Sequence, residues 1–356
     1  MLRRRDLLTA TIGAAMFGCR STPDSHAGFV SPRTSASAPP SSASAPRRAD
    51  SAPRGTNAPG LVGAARRHTA DEALLAAIAH AGGLPHAGAG DLVLLKVNTN
   101  SGDPYPYSSR PGAVALLAEH YRRAGARVLV GDRSFWGDRD TRGNLEANGI
   151  AAACAATGAE LRVFDDDHPW HELPPLASWV GPVRVPRVAM DAKVVLNLAC
   201  AKTHFISGAT LGLKNTLGFV RAEDRARPGN LRSHDPEKLH HQIAELRAAM
   251  PPMFTLLDGF EALVAGGPTP SSGRSPRITQ TGVVLAGHDP IAVDAGGLAL
   301  LRQHADQEEA VQGWSPWQSP VIRAAMAQGL GVARPEDLVW RGDEALAELE
   351  ATARET

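Results

Sequence analysis

Between Asp91 and Phe164 three short apolar runs alternate with two stretches of helical length, and that alternation narrows the available folds most. The runs are Asp91–Asn98 (DLVLLKVN), Ala126–Gly131 and Ala159–Phe164. Between them lie Pro111–Ala124, with proline in its first turn, and about Gly143–Thr157, closed by Gly158. Neighbouring parallel strands need a crossover of a dozen residues or more, which a helix of this length supplies.

The rest of the chain extends the pattern less regularly. Thr69 and Glu72 have the spacing of a capping box, opening a helix to about Ala81 before Gly82-Gly83. Val183–Val188, Ala192–Leu198, Phe254–Leu257 and Thr281–Ala286 read as further strands. Asp235-Pro236 caps a helix to Met250 with Leu239, Ile243 and Leu246 on one face; Pro290–Gln303 and Ser319–Gln328 are the last helices. The expected fold class is α/β, with a mixed, mainly parallel, Rossmann-like sheet flanked by helices. Residues 61–356 can bury a large core in one domain or in two lobes.

The first sixty residues belong to another regime. Arg3, Arg4 and Arg5 precede the short apolar stretch Leu7–Phe17, the layout of an export signal and too short for a mature membrane span. Arg4-Arg5-Asp6-Leu7-Leu8 resembles the twin-arginine pattern, and Cys19 after Gly18 resembles the lipidated cysteine of a bacterial lipoprotein. In residues 31–60, 20 of 30 positions are Ser, Pro or Ala, too little apolar surface to offset ordering entropy. The expected organisation is an export signal over 1–19, a tether over 20–60 and an α/β domain over 61–356. The expected location is the cell envelope, with the membrane surface as a partner through the lipid.

The formal net charge is zero, but residues 61–356 hold 29 Lys and Arg against 34 Asp and Glu. A mildly acidic domain lacks the basic face that nucleic acid requires, so no nucleic-acid partner is expected. Beyond Cys19 only Cys154 and Cys200 remain, without a C-x-x-C, which excludes a resident iron–sulfur cluster on four cysteines. Both lie in apolar runs, where free cysteine packs as a small hydrophobe; a single disulfide is the alternative.

Chemistry concentrates in Val194–Gly218, VVLNLACAKTHFISGATLGLKNTLG, which begins as a buried strand and turns polar with Lys202, Thr203, His204, Thr210, Lys214 and Asn215. In an open α/β sheet such strand ends line the ligand crevice. Other polar strand ends are Lys96-Val97-Asn98-Thr99-Asn100, Gly131-Asp132 and Asp258-Gly259, with His288-Asp289-Pro290 a fifth candidate. Simpler readings compete: Asp289 as a helix N-cap, Asp258-Gly259 as a turn, Asp132 as a loop cap, Asp165–His168 as a solvated loop, His240 and His241 as surface, Trp314 and Trp317 as packing. No G-x-S-x-G, P-loop, H-E-x-x-H or dinucleotide fingerprint occurs.

In order, K-x-N at Lys96/Asn98, Gly131-Asp132, Val195–Leu198 with Lys202-Thr203-His204, Leu213–Gly218, Asp258-Gly259, Gly266–Pro268 and Asp289–Asp294 resemble the bacterial and archaeal family known as domain of unknown function 362. The resemblance covers about residues 90–300 and implies no settled reaction. Some members carry a fused ferredoxin-like module, which implies redox or cluster handling; this chain lacks those cysteines. It also departs at Val97, where the family often has proline, and at Ala199-Cys200, where a Pro-Lys pair often stands.

The functional expectation is an enzyme acting on a small anionic or carbonyl-bearing molecule, with a divalent metal as candidate cofactor. Lys202 and Lys214 bind or polarise the substrate, and His204 serves as acid/base or metal ligand. Lys96, Asn98, Asn100, Thr203 and Asn215 bind and orient it; Asp132, Asp258 and Asp289 hold the metal or a lysine. The alternative is a non-catalytic metal- or ligand-binding envelope protein.

Overall fold

The computed structural model describes residues 59–134, 140–166, 168–231, 235–270, 273–305 and 308–356. The expected export signal, Cys19 and nearly all of the tether lie outside the described residues, as does Asp167. The described strands are β1 (Leu61–Arg66), β2 (Leu92–Lys96), β3 (Arg127–Asp132), β4 (Glu160–Val163), β5 (Trp170–Glu172), β6 (Arg184–Pro186), β7 (Val194–His204), β8 (Gly208–Thr210), β9 (Phe254–Ala265), β10 (Arg277–Gly287) and β11 (Val339–Gly342). The first helices are α1 (Ala70–His80), α2 (Pro111–Arg123), α3 (Thr141–Ala147), α4 (Ile150–Thr157) and α5 (Arg187–Asp191). After them come α6 (Gly212–Asn215), α7 (Ala222–Arg225), α8 (Pro236–Ala249), α9 (Pro290–His304), α10 (Glu309–Gln312), α11 (Pro320–Ala327) and α12 (Ala347–Ala353).

One sheet runs β11-β1-β10-β9-β7-β2-β3-β4, with β8 paired to β7, while β5 and β6 form a separate pair. The pairs β2–β3, β2–β7, β3–β4, β7–β9 and β1–β11 are parallel; β10 is antiparallel to both β9 and β1. The fold is therefore α/β with a mostly parallel mixed sheet. Alternation along each strand feeds two cores. Val93 and Leu95 of β2 pack with α1, α2 and α4, whereas Leu94 faces the core built with α8, α9, α11 and α12. Each such Leu or Val, taken fully from water, contributes about 2 kcal/mol. Helix α9 is buried at every position from Pro290 to Leu301, as a helix wrapped by other elements must be.

Local signals set most helix ends. Thr69 accepts from the Glu72 N–H, Asp235 from the Glu237 N–H, and Asp289 from the Ile291 and Ala292 N–H groups. The stretch read as one helix over 143–157 is two, broken at Asn148-Gly149, where Gly149 takes φ +85°. Three strands depart from expectation in ways that matter for the site. β7 continues through Lys202-Thr203-His204 rather than ending in a loop. β9 runs straight through Asp258-Gly259, so that pair is no turn. β10 points the opposite way, so Asp289 emerges at the opposite sheet edge from Lys96, Asp132 and His204. β1 and β11 carry no sequence signal recognised above.

Candidate functional site

Parallel β2, β3 and β7 finish at one edge of the sheet and deliver Lys96, Asp132 and Lys202–His204 to a common cleft. Beyond His204 the chain folds back as β8, pairing Lys202 with Thr210 and His204 with Gly208. It then enters α6, whose first amides are held from below. Asp294 of α9 accepts from Gly212 N at 2.9 Å and Leu213 N at 3.0 Å. That carboxylate fixes the short turn bearing Lys214 and Asn215. The cavity so formed measures about 60 Å³ and is lined by Lys96, Asp132, Lys202, His204, Thr210 and Lys214, with Arg133, Arg225 and Pro268 at its walls. It has room for roughly four to six water-sized groups.

The chain has only five lysines (Lys96, Lys193, Lys202, Lys214 and Lys238) among its 37 basic residues, and three of them line this cleft. Each of the three is held differently. Lys96, with no exposed surface, pairs with Asp132 at 2.7 Å and donates to the Val97 carbonyl at 2.6 Å and to Asn215 Oδ1 at 3.3 Å. Burial pushes the Lys96 amine down and the Asp132 carboxyl up, and each charge pulls the other back. Gly218 lies against this pair, with Asp132 Oδ1 2.1 Å and Lys96 Nζ 2.7 Å from where a Cβ would stand, so only glycine fits. Lys202 is equally buried and donates to Asn98 Oδ1 and to the Tyr107 carbonyl, both at 2.6 Å, leaving one N–H.

Lys214 has no such partner: among the described residues its amine makes no hydrogen bond and no ion pair. Its side chain is half-buried. Burial, reinforced by the Lys202 and Arg225 charges, lowers it to about 7. The Thr210 hydroxyl is also buried in this wall without a hydrogen-bond partner. A buried unsatisfied hydroxyl facing a lysine-lined cavity is uncommon in a folded protein and points to a ligand.

His204 contributes through one nitrogen only. Its Nδ1 accepts from Ile206 N at 3.1 Å and Ser207 N at 3.4 Å, so Nδ1 carries no proton and the neutral ring has its hydrogen on Nε2. Binding a metal through Nε2 would move that hydrogen to Nδ1, against two amide donors. The ring stacks on half-exposed Phe205 at 5.2 Å. Arg133 pairs with Asp165, and buried Arg225 is driven well below its usual value by burial and by Arg133. Among the described residues, three lysines and two arginines thus meet two carboxylates, Asp132 and Asp165.

The other expected site residues fall into place differently. Asn98 and Asn215 line the cleft, but their oxygens are committed. Asn98 Oδ1 accepts from Lys202, and Asn215 Oδ1 accepts from Asn98 Nδ2 at 2.8 Å as well as from Lys96. They hold lysines rather than a ligand. Asn100 is in the wall, whereas Thr203 faces away and accepts from Gly267 N at 3.3 Å.

Of the three carboxylates expected to hold a metal or a lysine, Asp132 holds Lys96, and the other two lie apart from it. Asp258 lies behind the wall, bonded to Tyr105 Oη at 2.6 Å and Arg110 Nε at 3.0 Å. Asp289 caps α9 on the far edge, where it also accepts from Gly60 and Val332 N–H groups. Among the described residues no three His, Cys, Asp or Glu side chains are grouped as metal ligands. The charged groups lining this cleft are, among the described residues, mostly cationic. Asp165 is an ion-pair partner rather than part of a free acidic loop. His240 is partly buried and pushed down to about 4 by burial, not simply solvated. Trp317 packs in the core, its Nε1 donating to the Ala353 carbonyl at 2.8 Å, while Trp314 is exposed. Cys154 and Cys200 are both buried and unpaired.

Thr210, Arg133, Arg225 and Asp294 were not singled out as site residues. The scarcity of lysine in an arginine-rich chain was the readable signal for the cleft; Arg225, in the charged run RAEDRAR, carried none.

A thylakoid-associated protein of Synechocystis sp. is 29% identical to this chain over 213 residues, 58% of this chain and 61% of that protein's length. Residues 93–299, well over half of the chain, match the family described as "Domain of unknown function (DUF362)". They contain the ends of β2, β3 and β7, all of α6 and Asp294, so the chain belongs to the DUF362 family.

Proposed function

We propose that this chain is an enzyme that binds a small anion in the lysine-rich cleft and acts on a carbonyl group the anion carries. The observation that carries this reading is the buried Thr210 Oγ1, which has no hydrogen-bond partner, in a cavity that Lys96, Lys202 and Lys214 also line. An anionic ligand would satisfy the hydroxyl and offset the cations. The remaining N–H of Lys202 is a fixed donor able to stabilise charge developing on a carbonyl oxygen. Lys214, about half unprotonated at neutral pH, supplies a base or nucleophile that Lys96 and Lys202, each held by acceptors, do not. Titration with inorganic phosphate at constant ionic strength tests the site. The native chain should bind saturably, and Lys214→Met and Thr210→Val should each weaken binding, Lys214→Met by tenfold or more, about the value of one charge-assisted hydrogen bond. Native protein that fails to saturate would remove the anion site.

The same proposal includes a membrane-associated, exported protein. The thylakoid association of the Synechocystis relative supports the membrane, and Arg3–Arg5, Leu7–Phe17 and Cys19 supply the signal and the lipid attachment. Among the described residues no helix is long and apolar enough to cross a membrane.

A further inference from the structure

We propose that Lys214 condenses with the carbonyl of a short 2-oxo acid to form a covalent imine inside the cleft, the acid's carboxylate being held by Lys202 and Arg225. The inference rests on the anion site described above and names its substrate class and chemistry.

Three features single out this amine. An attacking amine needs a lone pair not engaged by a carboxylate and a nitrogen not locked into donating. Lys96 is tied to Asp132, and Lys202 to Asn98 and Tyr107; Lys214 alone of the three has neither constraint. Burial, with the Lys202 and Arg225 charges, lowers it to about 7, so about half of it is unprotonated near neutral pH, as catalysis by a lysine requires. Its backbone is held, because Asp294 grips the two residues before it, so the amine is presented from a fixed turn.

The substrate class follows from the walls. The cation pair beside Lys214 calls for a carboxylate, and the cavity limits the molecule to a few heavy atoms. A phosphate or simple carboxylate would use the charge but give the unprotonated amine nothing to react with. A carbonyl next to the carboxylate would meet the amine and the Thr210 hydroxyl of the same cavity wall. In the step itself the Nζ lone pair forms a bond to the carbonyl carbon. The carbonyl oxygen takes up one amine hydrogen and then the second, leaves as water, and a C=N bond remains. No oxidant, reductant or metal enters the balance.

Reductive trapping tests the step. The full chain is incubated with glyoxylate and sodium cyanoborohydride and the products are mapped by mass spectrometry. Lys193 and Lys238, both exposed ion-pair partners, serve as internal controls. The expected result is one carboxymethyl group per chain on Lys214, formed at least tenfold faster than on either control and slowed by added phosphate. Lys214→Arg, which keeps the cation and removes the condensing amine, should lose the adduct. Native protein that binds phosphate but is labelled no faster at Lys214 than at Lys193 and Lys238 would overturn the imine while leaving the anion site standing. Failure to bind phosphate at all would instead overturn the anion site and the imine with it.

Discussion

A lysine with no acceptor beside two other cations is unstable as an ammonium ion, and its titration should expose it. Lys214 falls from the usual 10.5 to about 7 in the folded chain. The unfolded chain therefore binds more protons between about pH 7 and 10.5, and through this group stability rises across that window. Asp294 behaves in the opposite sense. Burial raises it from 3.8 to about 7, against the pull of the Gly212 and Leu213 amides. The folded chain then binds more protons between about pH 4 and 7, so Asp294 costs stability as pH rises through that range. Denaturant titrations from pH 4 to 10 should show both slopes, with Lys214→Met flattening the upper one and Asp294→Asn the lower. Slopes unchanged in these variants would show that other groups set them. The Lys96–Asp132 pair makes a separate prediction. Asp132→Asn leaves a fully buried ammonium ion without its counter-charge and should cost about 3–5 kcal/mol in unfolding free energy. Replacing both partners with apolar residues should cost less than the sum of the two single changes, which a double-mutant cycle measures.

At the scale of elements, the cleft depends on how one loop is held. Residues 98–110 leave β2, contribute Asn98, Asn100 and the Tyr107 carbonyl to the lysines and the wall, and return to α2. Their far end is latched behind the sheet. Tyr105 Oη donates to Asp258 Oδ1 and accepts from Glu261 N, while Arg110 bridges Asp258 and Asp71. Asp258→Asn should destabilise the chain by about 2–3 kcal/mol, the scale of bonds to a charged group, and Tyr105→Phe by about 1 kcal/mol. Both should also weaken phosphate binding, because freeing the loop moves the Tyr107 acceptor that orients Lys202. Unchanged binding in a destabilised Asp258→Asn chain would make the latch purely structural. This latch was not legible in the sequence, and the reason is physical. Asp258-Gly259 looks like a strand-ending turn because local propensity is all a short window reports. Only pairing with β7 and β10, distant in sequence, keeps β9 extended through it. The β2, β3 and β7 ends were legible because buried parallel strands announce themselves as short apolar runs, and the helix caps because each is a contact between near neighbours.

For the whole molecule, the reversed direction of β10 divides the polar motifs between two edges. Lys96, Asp132, Lys202, His204 and Lys214 gather at one edge. Asp289, which the sequence order groups with them, becomes structural at the other, tying the start of β1 and the 332 region to α9. Strand direction is set by partners more than two hundred residues apart, Gly63 with Ala286 for example, which no local pattern encodes. That pairing also bears on the N-terminus. β1 begins at Leu61, immediately after the Ser-, Pro- and Ala-rich stretch, and is held between β10 and β11. The domain thus closes on itself from Pro59 onward, and residues 1–58 are expected to serve location rather than stability. A chain beginning at Pro59 should melt within roughly 2 °C of the full chain, a shift of under 1 kcal/mol. It should bind phosphate equally well and, on the proposed lipid attachment, sediment less with membranes than the full chain when cells are fractionated. Cys19→Ser in the full chain should release the protein from the membrane with the same unaltered melting. If the shortened chain still sediments with membranes, attachment lies on the folded domain, and half-exposed Phe205 beside His204 becomes the first residue to change.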